Sequence, residues 1–188
     1  KRAIEKIIKI QNSRGPDENG LWTSNCKNIT FGHNRLSIID LSEKAKQPFI
    51  SKDENFIITY NGEIYNYIEI KNELIKKKII FKSNSDTEVI IEAYKYWGLD
   101  CLKKFRGMFA FAIWDNIKKE LILARDPFGI KPLYYSKKNN ILFFASQVKS
   151  ILSIDNLSFE KSGKHTLDYY LWGNITEPFT IYKDIYSI

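Results

Sequence analysis

The sequence predicts an α+β layered fold, and three observations lead there. Apolar residues recur at helical spacing in some segments, and at strand spacing in two separate groups with helices between them. The last four strand candidates are about ten residues apart and are broken by turn formers, which is the rhythm of antiparallel pairing. Finally, 44% hydrophobic and 14% aromatic residues in a chain of 188 are enough to build one domain around a real core.

The elements follow in order. Residues 3–11 put Ile4, Ile7 and Ile8 on one face, as in an amphipathic helix, which stops at the loop formers Asn12 to Asp17. Strands are expected at 20–24 and 29–33, on either side of the polar tip Thr23 to Asn28. The β-rich run Asn55 to Tyr60 leads into Asn61-Gly62. A helix over 67–77 should use Ile68, Leu74 and Ile75 as its apolar side. In the next helix, Ser85 followed by Glu88 reads as a capping box, and Gly98 reads as the stop. That helix, 86–97, should pack through Val89, Ile90 and Tyr94 or Trp97 against a sheet containing 108–114. Strands at 108–114, 120–125, 132–135 and 141–145 suggest a meander, and short helices near 147–153 and 166–172 end the chain.

Composition narrows the function. The formal net charge of +7 invites a nucleic-acid partner, but only five arginines are present and the lysines form short runs at element ends. With no aromatic–basic ladder, nucleic acid is not an expected partner. No stretch approaches the roughly 20 apolar residues of a membrane span, and the charged start lacks a signal peptide's apolar run, so a cytoplasmic protein is the default. Two cysteines are too few for a disulfide framework and lack metal spacing, so no metal site is expected. Cys101 reads as a small buried hydrophobe, and Cys26 as a loop thiol with nothing nearby to lower its pKa.

Six strings occur in a fixed order. They are Arg14-Gly15-Pro16-Asp17, Gly32 to Asp40, Asn61-Gly62-Glu63-Ile64-Tyr65-Asn66, Ser85-Asp86-Thr87-Glu88, Gly107 to Ala112 and Arg125 to Tyr135. Together they resemble the class II glutamine amidotransferase domain of glutamine-hydrolysing asparagine synthetases. The resemblance implies a four-layer αββα sandwich of antiparallel sheets, of the N-terminal nucleophile hydrolase type. It places that domain at 1–155, without its first strand, and reads 156–188 as a linker and the start of an ATP-using synthetase domain. Ser13, Asn34 and Gln147 depart from frequent family residues, in ways that bear on packing or on the acceptor.

The chemistry asks for particular groups. A substrate carboxylate is best held by a planar, permanently charged guanidinium, and the resemblance assigns this to Arg35. Leu36, Ser37, Ile38 and Ile39 would complete that wall. Glu63 and Asp86 would hold the α-ammonium of L-glutamine, although an acidic residue in a helix's first turn also suits the macrodipole. Asn61-Gly62 reads by local rules as a hairpin turn. The resemblance makes it instead an oxyanion hole, formed by the Asn side-chain amide and the Gly N–H, and we prefer that reading. His33 and His165 read as structural.

The family's nucleophile is an N-terminal cysteine, and the chain starts at Lys1, so the residues 1–188 are expected to be inactive alone and to leave a sheet edge or gap. In the full-length protein the domain would release ammonia to a synthetase domain in cis, which needs ATP and Mg, amidating L-aspartate. A homodimer is compatible with this. The alternatives are a related module without glutaminase activity, structural or serving another acceptor, and a basic nucleic-acid binder.

Overall fold

The computed structural model describes residues 2–35 and 46–188. Two long strands, β4 (Phe56–Ile64) and β5 (Gly107–Asp115), form its spine, paired antiparallel along their whole length from Phe56↔Asp115 to Ile64↔Gly107. The short β3 (Phe49–Ile50) and β6 (Glu120–Arg125) flank them in the order β3-β4-β5-β6. Successive side chains in a strand point to opposite faces. Ile58, Tyr60 and Ile64 of β4, with Phe109, Phe111 and Ile113 of β5, therefore face the helices α2 (Tyr67–Lys76) and α3 (Asp86–Trp97). Val89, Ile90 and Tyr94 of α3 are buried there, with Trp97 partly buried. Each fully buried Ile or Val contributes about 1.5–3 kcal/mol.

Ile57, Ala112 and Trp114 point the other way and meet Phe31 and Phe144. Phe31 belongs to the hairpin of β1 (Glu18–Thr23) and β2 (Thr30–Arg35). Phe144 belongs to a second sheet of β7 (Tyr134–Lys138), β8 (Ile141–Ala145) and β9 (Tyr186–Ser187), ordered β8-β7-β9. Outside these lie α1 (Arg2–Gln11) and α4 (Val148–Leu152). Gly32 makes room for α1, since a Cβ there would stand 2.9 Å from Ile4 and 3.0 Å from Ile8. Ile151 of α4 is buried with Ala145 and Ile185. The result is a four-layer αββα sandwich of antiparallel sheets.

Its second β layer is split. Among the described residues β2 pairs only with β1 and β8 only with β7, and a gap lined by residues of both strands lies between them. Phe31 and Phe144 bridge it with ring centroids 5.6 Å apart.

Five readings made from local sequence rules need correction. The strands from 107 onward do not form one meander, because the loop after β6 carries the chain to the other sheet. Asp126 builds that loop by accepting from the backbone N–H groups of Phe128, Ile130 and Lys131. The buried side of α2 is Ile70 and Leu74, while Ile68 and Ile75 are exposed. The Ser85 side chain caps α3 through Thr87 N–H, but Glu88 reaches past the cap to the N–H groups of Lys82 and Ser83. Asn61-Gly62 makes no turn and lies inside β4, where pairing with β5 overrides the local hairpin preference. The last helix, α5 (Gly163–Trp172), starts earlier than its apolar run, at the N-cap Ser162.

Candidate functional site

A cavity of about 400 Å³ runs from the gap between β2 and β8 to the start of α3. That size suits a small amino-acid ligand. Ile4 and Ile7 roof it, Thr59, Asn61, Ala110 and Ala112 form its floor, and Arg35, Gln47 and Asp86 stand in its walls.

The edge of β4 beyond β3 shapes the polar end. Phe109 gives its N–H and C=O to Asp126 at 3.2 and 2.7 Å, so the opposite pair Gly62↔Phe109 is a non-hydrogen-bonded one. The Gly62 N–H must therefore point away from β5, into the cavity. Its neighbours along the same edge are capped. Tyr60 N–H donates to the Gln47 side chain at 2.7 Å, and Ile64 N–H donates to Asp86 at 3.1 Å. Only a glycine fits at position 62, because a Cβ would collide with the Met108 carbonyl and stand 2.7 Å from Phe109 Cα. Asn61, by strand alternation, projects from the opposite face, into the space between the two β layers.

Charges ring this edge. Arg35 ends β2 directly opposite Glu18 and donates to its carboxylate at 3.1 Å. Lys46 meets the other oxygen of Glu18 at 2.5 Å. Lys46 first, and then Arg35, hold the Glu18 carboxyl below its ordinary range. The pairing fixes the orientation of the buried guanidinium in the cavity wall. Asp86, at the first position of α3, is 5% exposed and accepts from Tyr60 Oη at 2.7 Å as well as from Ile64. Burial raises its pKa, and the Tyr60 and backbone bonds pull the other way without cancelling it. His33 bonds Thr59 at 3.1 Å, and desolvation in the wall, with the charge of Arg35 behind it, lowers its pKa to about 4. It is neutral at pH 7, as a structural histidine would be.

The structure thus brings Arg35, Asn61, Gly62 and Asp86 to one cavity. Glu63 shares the Asn61 face of β4 and is half-buried, but it does not line the cavity. Leu36, Ser37, Ile38 and Ile39 lie outside the described residues. Glu18, Gln47 and Tyr60 were not anticipated as site residues. Glu18 could have been found by counting hairpin register from Arg35, but nothing local marks Gln47 or Tyr60.

Neither cysteine reaches the cavity. Cys101 is buried among the helix-side residues, and burial pushes its thiol up to about 12. Cys26 is exposed, and contrary to expectation its pKa is lowered, first by Ser24 and then by the Asn28 backbone. Among the described residues no group of three or more His, Cys, Asp or Glu could hold a metal ion, and no helix is long and apolar enough to cross a membrane.

The layers define an αββα sandwich with a cavity opening between its two β layers. The chain belongs to the family described as the glutamine amidotransferase domain, which it matches over residues 1–188. It is 38% identical, over its whole length, to the putative asparagine synthetase (glutamine-hydrolyzing) 2 of Methanocaldococcus jannaschii, covering 39% of that protein. It is 42% identical over 94% of its length to asparagine synthetase (glutamine-hydrolyzing) 1 of Bacillus subtilis, covering 28% of it. The chain therefore spans well under half the length of these relatives. Among solved structures, glutamine phosphoribosylpyrophosphate amidotransferase from B. subtilis, complexed with ADP and GMP, superimposes with a TM-score of 0.58. It is 24% identical, and the match covers 70% of this chain and 30% of that one.

Proposed function

We propose that the cavity is a glutaminase site, which hydrolyses L-glutamine to L-glutamate and supplies the ammonia to a synthetase domain of the same full-length protein. One observation carries this reading. Among the described residues the Gly62 N–H is left uncapped in a row whose neighbours are tied to Gln47 and Asp86, and it opens on the cavity that Asn61 and Arg35 also line.

In this reading Arg35 holds the glutamine α-carboxylate, with Leu36 to Ile39 beside it, and Asp86 holds the α-ammonium, with Glu63 adding negative charge nearby. The side-chain amide then lies at Asn61 and Gly62. A cysteine thiolate attacks the amide carbon, and the C–S bond forms while the oxygen takes negative charge. Asn61 and the Gly62 N–H donate to that oxygen, each worth about 2.7–4 kcal/mol. When the C–N bond breaks, the nitrogen takes a proton and leaves as ammonia. Water hydrolyses the thioester, giving glutamate and the free thiol.

Since neither Cys26 nor Cys101 lines the cavity, the nucleophile is assigned to a cysteine outside residues 1–188. The gap between β2 and β8 would admit one extended strand carrying it, with the α-amine of that cysteine moving the proton. Residues 1–188 alone are then without glutaminase activity. We place the domain boundary near 155, with 156–188 leading to a synthetase domain that binds ATP and Mg and amidates L-aspartate to L-asparagine. The location proposed is the cytoplasm, and sedimentation of the full-length protein would test for a homodimer.

The test is Asp86→Asn in the full-length protein, assayed with glutamine and with ammonium. Glutamine-dependent synthesis should fall at least tenfold, the size of a lost charge-assisted contact of about 1.5–3 kcal/mol, while ammonium-dependent synthesis is retained. Retention of both would exclude glutamine binding in this cavity, and equal loss of both would reduce Asp86 to a structural role.

A further inference from the structure

We propose that Tyr60 is a positioning residue for glutamine use, its hydroxyl holding the Asp86 carboxylate in the orientation and ionised form that the substrate ammonium needs. This deepens the glutaminase reading and rests on it.

The geometry is specific. Tyr60 is 4% exposed and Asp86 is 5% exposed, and the hydroxyl donates to Asp86 Oδ2 at 2.7 Å. Burial first, and then the charge of Asp86, push the phenol far above its ordinary range, so its proton stays in place and it acts only as a donor. The same carboxylate oxygen takes the Ile64 N–H at 3.1 Å, which leaves Asp86 with acceptor capacity on Oδ1. A buried carboxylate with two donors on one oxygen cannot swing freely.

Tyr60 is itself anchored. Gln47 brackets its backbone, accepting from the N–H at 2.7 Å and donating to the C=O at 3.1 Å, both within the buried interior. A side-chain amide here takes the place of a neighbouring strand, just where the pairing of β3 with β4 ends. The residue after Tyr60 is Asn61. One residue therefore ties the carboxylate assigned to the α-ammonium to the segment assigned to the oxyanion, and glutamine must reach both.

Among the described residues the titratable and charged groups nearby are few. On β4 they are Tyr60, neutral, and Glu63, and on α3 they are Asp86 and Glu88, the latter occupied by Lys82 and Ser83. His33, held neutral by burial, stands with Arg35 and Lys131 elsewhere in the cavity lining. Removing the Tyr60 hydroxyl deletes a donor that favours the ionised Asp86, so the carboxylate should hold its proton to higher pH.

The experiment is Tyr60→Phe in the full-length protein, alone and combined with Asp86→Asn. Thermal melting checks folding, and the isosteric ring keeps the packing. The proposal expects a rise in glutamine KM of about tenfold, with the acid limb of glutamine kcat/KM moved up by about one pH unit and ammonium-dependent synthesis unchanged. In the Asp86→Asn background Tyr60→Phe should add almost nothing, because the two changes remove one coupled contact. An unmoved acid limb, an additive effect in the double variant, or equal losses with both nitrogen sources would overturn it. If Asp86→Asn alone leaves glutamine use intact, the underlying glutaminase reading fails and takes this proposal with it. If Asp86→Asn is damaging and Tyr60→Phe is silent, only the proposal fails.

Discussion

At the residue scale, the site is a set of polar groups whose freedom has been removed by partners. Arg35 is steered by Glu18, Asp86 by Tyr60 and Ile64, and the Gly62 N–H by its register against Phe109. Two substitutions separate their roles. Arg35→Lys keeps the charge but loses the planar fork, so glutamine KM should rise about tenfold to a hundredfold while ammonium kinetics hold. In the proposed reading Asn61→Ala removes a donor that matters chiefly to the developing oxyanion, so kcat should fall about 10²–10³-fold with little change in KM. A matching rise in KM for Asn61→Ala would show that Asn61 binds the ground state instead. The sequence made Arg35, Asn61, Gly62 and Asp86 legible because they sit in long, ordered strings. Tyr60 and Gln47 escaped because their roles come from a strand edge ending, which no local pattern encodes.

At the scale of elements, β4 matters most. It is paired with β5 through nine residues, yet on its other edge β3 covers only Ile57 and Ile58. Gln47 continues that edge for one residue and then the cavity begins. Gly20 of β1 is what lets Gln47 sit there, since a Cβ on Gly20 would strike the Gln47 carbonyl and stand 2.9 Å from Pro48 Cδ. Gly20→Ala should lower stability by about 1–3 kcal/mol and reduce glutamine kcat, because Tyr60 and Asn61 lose their brace. Denaturant unfolding together with glutamine kinetics would check this, and a stable variant with normal glutamine use would contradict it. Element types were largely readable from apolar periodicity, as in α3, β5 and β8. What periodicity could not show was sheet membership. The strands β6 and β7 are neighbours in sequence, but the Asp126 loop sends them to different sheets.

At the scale of the whole molecule, the layers are tied together by a few long-range contacts. Arg125 at the end of β6 donates to Lys131, Gly129 and Ile188 carbonyls and to Glu177 and Ser187, joining the loop to the 177–188 segment. Arg125→Ala leaves those carbonyls without their donor and should cost about 2–4 kcal/mol. Proteolysis near 173–178 should also quicken, and an unchanged cleavage rate would show that this latch holds nothing. The four-layer order was legible through resemblance, whereas the gap between β2 and β8 is visible only once both sheets are in place. That gap and the cavity beside it are the centre of the functional account. Its most direct test is synthesis by the full-length protein supplied with L-glutamine labelled with ¹⁵N in the side-chain amide, beside ¹⁵N-ammonium, for the native sequence and for Asn61→Ala. The account predicts label in the amide of asparagine from both sources in the native protein, and from ammonium alone in the variant. Label from ammonium but never from glutamine in the native protein, or equal losses from both sources in the variant, would contradict it.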